Sequence, residues 1–176
     1  MTADLDRWIA DAAVRSSHRR ESTAQPAALW RAAAAVRLCD SRLLGRLVAL
    51  RIAGVEQDTT FASMFRASPF VLLEDGELHA FSGLCGRIWA VRGELGKLAS
   101  PEEFARWREP GTVRVLFAHW VSEREGGGSA IHSEVRVAPV DRRAAIYMRA
   151  LEPFIAASQG LVGREALTLA VRRAER

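Results

Sequence analysis

Residues 112–122 read TVRVLFAHWVS and residues 129–137 read SAIHSEVRV, with Gly126-Gly127-Gly128 between them. Side chains alternate across an extended chain. Val113, Val115, Phe117, His119 and Val121 therefore share one side of the first segment, and Thr112, Arg114, Leu116, Ala118 and Trp120 the other. In the second segment Ile131, Ser133, Val135 and Val137 alternate with His132, Glu134 and Arg136. The pattern predicts an antiparallel hairpin with one buried face, turned at the triple glycine.

Working outward, residues 13–23 fit a polar edge strand. Residues 59–66 (TTFASMFR), 69–73 (PFVLL), 77–84 (ELHAFSGL) and 86–92 (GRIWAVR) are short β-compatible runs, with Glu74-Asp75-Gly76 as a hairpin turn. Helices are expected at 2–11, at 26–37 opening on Pro26, and from Asp40 or Ser41 to Arg51. A short helix over 101–108 has Ser100 as N-cap and Pro101 at its first position. Asp141 caps another helix, expected to break near Pro153, and a last helix runs from about Gln159 to Arg173. The order is one strand, two short helices, about six to seven strands in all, then a helical tail. This is an α+β fold in which the long C-terminal helix must cover the concave face of a curved antiparallel sheet, since no second sheet is available.

Size and composition agree with one domain over 1–176. The chain is 49% hydrophobic and 26% charged, a globular balance. No run approaches the roughly 18–20 apolar residues of a membrane span. The start of the chain carries Asp4, Asp6 and Asp11 and no apolar signal core, so the expected setting is cytoplasmic. Cys39 and Cys85 stand far apart and suggest two reduced thiols. The net charge is +4, and Lys97 is the one lysine among 25 basic residues. The arginines are scattered, with no basic cluster or nucleic-acid motif. His18, His79, His119 and His132 lack metal-ligand spacing, and no phosphate loop or nucleophile elbow appears, so no metal and no cofactor are expected.

The sequence resembles the START-like superfamily, the helix-grip or Bet v 1-like fold, and within it the bacterial SRPBCC proteins described as polyketide cyclase-like. The residues that carry the resemblance begin with Ala24-Gln25-Pro26-Ala27-Ala28-Leu29-Trp30, Asp40 and Leu50-Arg51. They continue through Gly83-Leu84-Cys85-Gly86-Arg87-Ile88-Trp89, Pro101-Glu102-Glu103-Phe104 and Ser133-Glu134-Val135-Arg136-Val137, then Tyr147, Pro153, Ser158 and Arg173-Ala174-Glu175. The resemblance spans about Trp8 to Glu175. It implies a cavity between sheet and C-terminal helix holding a small hydrophobic molecule, lipid- or polyketide-like. The alternative it implies is a cyclase or dehydratase working in the same cavity, and it brings no catalytic residues with it. A chaperone-like or regulatory role through protein contacts is a third reading.

The candidate cavity residues are Phe61, Trp89, Phe117, His119, Gly163, Ala166 and Ala170. His119 is either a core histidine held by one hydrogen bond or an acid–base group. His132, Glu134 and Arg136 form either a solvated sheet face or a polar cluster in the cavity. On the last helix Gly163, Ala166, Ala170 and Ala174 centre an apolar face whose shoulders are Val162, Leu167, Leu169 and Val171, with Arg173 intruding. Small residues there either let the helix sit close to a sheet bearing Phe61, Trp89 and Phe117, or leave a groove for a flat apolar ligand. Scattered arginines predict that any attraction to nucleic acid disappears at physiological salt. A mobility-shift assay checks this, and sequence-selective binding that survives such salt would contradict it.

Overall fold

The computed structural model describes residues 4–40, 56, 58–90 and 94–176, and for 151–163 the backbone alone. Strand β1 is Val14–Ser22, followed by helix α1, Pro26–Ala34, and a 3-10 turn at Leu38–Asp40. Helix α2 is Phe61–Met64. Strands β2, Val71–Gly76, β3, His79–Arg87, and β4, Glu94–Leu95, come next, then helix α3, Pro101–Arg106. Strands β5, Val113–Glu123, and β6, Ser129–Pro139, lead into helix α4, Arg142–Ala174. The fold is α+β, with a curved antiparallel sheet of six strands in the order β1-β6-β5-β3-β2 and β4 paired to β3.

The β5–β6 hairpin forms as the alternation predicts, with Phe117 opposite Val135 and His119 opposite Ser133. Gly126, Gly127 and Gly128 all take positive φ. Among the described residues only β6 pairs with β1, making it the edge strand expected at 13–23. In β3, Gly86 has φ +136°, and a Cβ there would strike the backbone of Glu94 and Leu95. That glycine lets β4 close onto the end of β3.

Several local expectations are corrected. Residues 59–66 are not a strand: the Thr60 hydroxyl accepts from the Ser63 N–H at 3.1 Å and starts α2. Phe61 and Phe65, four apart, then meet at 6.0 Å between ring centroids, a helical pairing that outweighs β propensity. The hairpin turn is displaced. Glu74, Asp75 and Gly76 still pair with Phe81, Ala80 and His79, across a register shift between Leu72 and Glu74. Of the two strands expected over 77–84 and 86–92, the described residues make one, because β3 runs continuously through Gly86 to Arg87, and residues 91–92 lie outside the described residues. Of the helix expected over 2–11, the described residues 4–11 hold a single turn, with Trp8 and Ile9 N–H both donating to the Leu5 carbonyl. The helix expected over 41–51 lies outside the described residues. Helix α4 does not end at Pro153 but continues through it. A proline there forfeits one backbone bond, while apolar burial holds the helix on both sides of it.

That burial explains the position of α4. Toward its N-terminus Ala144 and Met148 pack with Val14, Val113, Val115 and Val137. Toward its C-terminus Leu167 and Ala170 pack with Leu29, Val36, Val121 and Ile131. Each end is also tied by a carboxylate. Asp141 accepts from the N–H groups of Ala144 (2.8 Å) and Gly111 (2.7 Å). Glu175 accepts from the Thr23 N–H and the Ser22 hydroxyl, both at 2.9 Å. These bonds hold both carboxyls below their usual range.

The convex face is covered too. Leu5, Ile9 and Phe104 of α3 pack on Phe81, Cys85, Leu116 and Ala118, and a Cβ on Gly83 would run into the Phe104 ring. His132, Glu134 and Arg136 lie on this face, so they neither enter the concave side nor form an open solvated surface. Arg136, its side chain 8% exposed, bonds Glu134 at 2.6 Å, Asp6, and the Ile9 carbonyl at 2.7 Å. His132 stacks on Trp120 at 4.8 Å and bonds Ser122 at 2.9 Å.

Arg136 thus fastens the first residues to the sheet. Arg136→Met is expected to cost about 2 kcal/mol, because it leaves the largely buried Glu134 carboxylate with the exposed Arg15 as its remaining ion-pair partner and frees a backbone carbonyl. Asp6→Asn, at the exposed end of the pair, is expected to cost far less. Urea unfolding of both variants checks the order.

Candidate functional site

On the concave side, cross-strand pairing fixes two rows. One runs Ala80, His119, Ser133, His18, and the next Ser82, Phe117, Val135, Ser16. Directly opposite residues on one face have Cβ atoms about 5 Å apart. The rows are the middle of the sheet, and burial along them is uneven. Along β5, Val113 and Val115 are buried, Phe117 and His119 are only partly so, and Val121 is buried again. Along β6, Ile131, Ser133 and Val137 are buried and Val135 is partly so. Both ends of this face are closed by the two groups of α4 side chains described above. The stretch of α4 between them is 151–163.

The aromatic side chains gather over the same middle. Phe65 lies 5.0 Å from the His119 ring, 5.2 Å from Phe117 and 5.1 Å from Phe70. Phe70 meets Phe117 edge-on at 5.5 Å. Phe61 packs against both end groups and so bridges them. Of the sequence-derived candidates, the structure brings Phe61, Phe117 and His119 together. Trp89 lies toward the N-terminal end of α4, stacked on Tyr147 at 5.3 Å. Ala170, 1% exposed, belongs to the closed C-terminal end, Ala166 is half-buried, and the Gly163 side is outside the described residues.

Polar groups interrupt this apolar lining in a small set. Burial pushes the His119 imidazole down to about 4, so it is neutral at physiological pH. Its ring nitrogens bond to no described residue, and neither do the hydroxyls of Ser82 and Ser133. On β1 the Ser16 hydroxyl and His18 Nε2 are 3.2 Å apart. A neutral imidazole beside a hydroxyl can donate and accept hydrogen bonds, or take a proton from a bound molecule. His79 and His132 point elsewhere, on the convex side. Among the described residues no three possible metal ligands come together. Burial raises the Cys85 thiol to about 12, so it is not a ready nucleophile. No described helix is long and apolar enough to cross a membrane.

Sequence reading misses Phe65, Phe70, Ser82 and Ser133 as site residues. Phe65 is hidden by the strand expected over 59–66, although Phe61 and Phe65 at helical spacing are a signal. Ser133 is visible on the apolar side of β6, but only strand register sets it beside His119.

No known family profile matches the chain, and no curated protein does. Among solved structures, the chain is similar to TTHA0849 from Thermus thermophilus, with 11% identity, 92% of this chain and 97% of that one covered, and a TM-score of 0.36. It is similar to the di-domain ARO/CYC BexL from the BE-7585A biosynthetic pathway, with 11% identity, 97% of this chain and 53% of that one covered, and a TM-score of 0.36. A protein from Rhizobium leguminosarum gives 17% identity, 91% and 99% coverage, and a TM-score of 0.30.

His119 makes stability depend on pH. Its unfolded imidazole takes up a proton near pH 6.5, and the folded one only near 4. Between those values the unfolded state binds more protons, so stability is full above the upper value and falls as pH drops toward the lower. The loss is roughly 3 kcal/mol at most. Urea unfolding across this range should show that fall in the parent and a much flatter profile in His119→Phe.

Proposed function

We propose that the protein binds a small hydrophobic molecule, lipid- or polyketide-like, between the middle of the sheet and α4. The observation that carries this reading is the incomplete burial of Phe117, His119 and Val135 between two fully buried ends. On this reading the surface that Phe117, His119 and Val135 retain is what the ligand covers. A lining of aromatic and aliphatic side chains with a few polar groups is the usual make-up of a small-molecule site. The START-like resemblance, in which such a cavity is the shared feature, supports the same reading.

A cyclase- or dehydratase-type enzyme is the second reading. One observation favours it: a neutral His119 imidazole with ring nitrogens unclaimed by any described residue, free to take a proton from a bound molecule. One group of that kind does not make a reaction, and binding alone accounts for the rest of the lining.

Space and tight packing respond oppositely to added volume. Val135→Phe, at the centre, is expected to leave stability within about 1 kcal/mol while displacing ligand. Ala170→Leu, at the closed end, is expected to cost about 1–3 kcal/mol. Thermal melts are run beside titration with the fluorescent apolar probe N-phenylnaphthylamine. The parent should bind the probe saturably, and Val135→Phe should bind it much more weakly. A parent that binds no probe, with both variants equally destabilised, would overturn the proposal.

A further inference from the structure

A ligand that filled the middle of the sheet with hydrocarbon alone would leave His119 and Ser133 without partners. Each unpaired polar group in an enclosed apolar site is costly. The two residues are directly opposite on adjacent strands, so one atom placed above them can reach both. Among the described residues, the arginines of the sheet are aimed elsewhere. Arg15 and Arg136 flank Glu134 on the convex face. Arg114 lies over the Phe104 ring on that same side. Arg20, on the concave side of β1, is exposed at the rim. The described arginines of the sheet thus all lie away from the central position, and the titratable neighbour on the same row is His18, opposite Ser133 and 3.2 Å from the Ser16 hydroxyl.

We infer that His119 and Ser133 form a polar anchor for a single uncharged oxygen, a ketone or hydroxyl, on an otherwise apolar ligand, and that the site discriminates against carboxylates. This rests on the proposed ligand site and names the chemistry it selects. The imidazole is neutral at physiological pH, so it donates one hydrogen bond and accepts another. A ketone takes the donated bond and the Ser133 O–H; a hydroxyl can donate to the unprotonated ring nitrogen. A carboxylate would lose its water without gaining an arginine from the described sheet, which is the costlier exchange.

The test is displacement of N-phenylnaphthylamine at neutral pH by four competitors of one shape: naphthalene, naphthol, acetonaphthone and naphthoate. Naphthol and acetonaphthone are expected to bind about tenfold more tightly than naphthalene, the size of one net hydrogen bond, with naphthoate weakest. In His119→Phe the preference should shrink to about twofold while the probe still binds, and Ser133→Ala should shrink it partway. Nitrogen NMR of the His119 ring in the parent gives a readout that needs no variant, and acetonaphthone should shift it. Naphthoate binding as tightly as acetonaphthone, an unchanged preference in a folded His119→Phe, or an unmoved ring signal would each overturn the inference alone. A parent that binds neither the probe nor any competitor would remove the ligand site itself.

Discussion

One curved sheet with two apolar faces has to be covered where the described residues supply no second sheet. Everything else in the molecule answers that constraint. The convex side is closed by short pieces, the turn at Leu5–Ile9 and the six-residue helix α3 with its buried Phe104. The concave side is crossed by one helix of 33 residues, about 50 Å long at 1.5 Å per residue. Among the described side chains of α4, Ala144 and Met148 are buried toward one end and Leu167 and Ala170 toward the other.

The two carboxylate ties, Asp141 at one end and Glu175 at the other, set the helix against the sheet rather than adding hydrophobic burial. Fixed ends leave the central side chains to be chosen for something other than holding the fold together. Ser16, His18, Ser82, His119 and Ser133 lie there, while Arg20, Ser22 and Ser129 are polar residues at one end of the same face, Ser22 bonded to Glu175 and Ser129 to the Ala24 carbonyl. A sheet face built for packing alone would carry valine and isoleucine throughout, as β5 and β6 do at their ends.

Much of this was legible in the sequence where a physical signal is local. Alternation over 112–122 and 129–137 identified the central hairpin and the side on which His119 falls. Ser100-Pro101 and Asp141 marked helix starts through capping. The signals failed where neighbours decide. Thr60 and Ser63 cap a helix that β-compatible residues concealed, Gly86 bends a strand without ending it, and Pro153 is carried inside a helix anchored on both sides. The convex position of Arg136 could be read from alternation, but its partners Asp6 and Ile9 lie far away in the chain. The union of His119 with Ser133 and Phe65 depends on strand register and on the path of α2, neither of which periodicity encodes.

The central claim is interior space over the middle of the sheet. Crystals of the protein pressurised with xenon test it most directly, because xenon occupies dry apolar cavities. The account predicts a xenon peak among Phe117, Val135 and His119, beneath the 151–163 stretch of α4. Side chains of 151–163 filling that volume, with no xenon bound there, would contradict it.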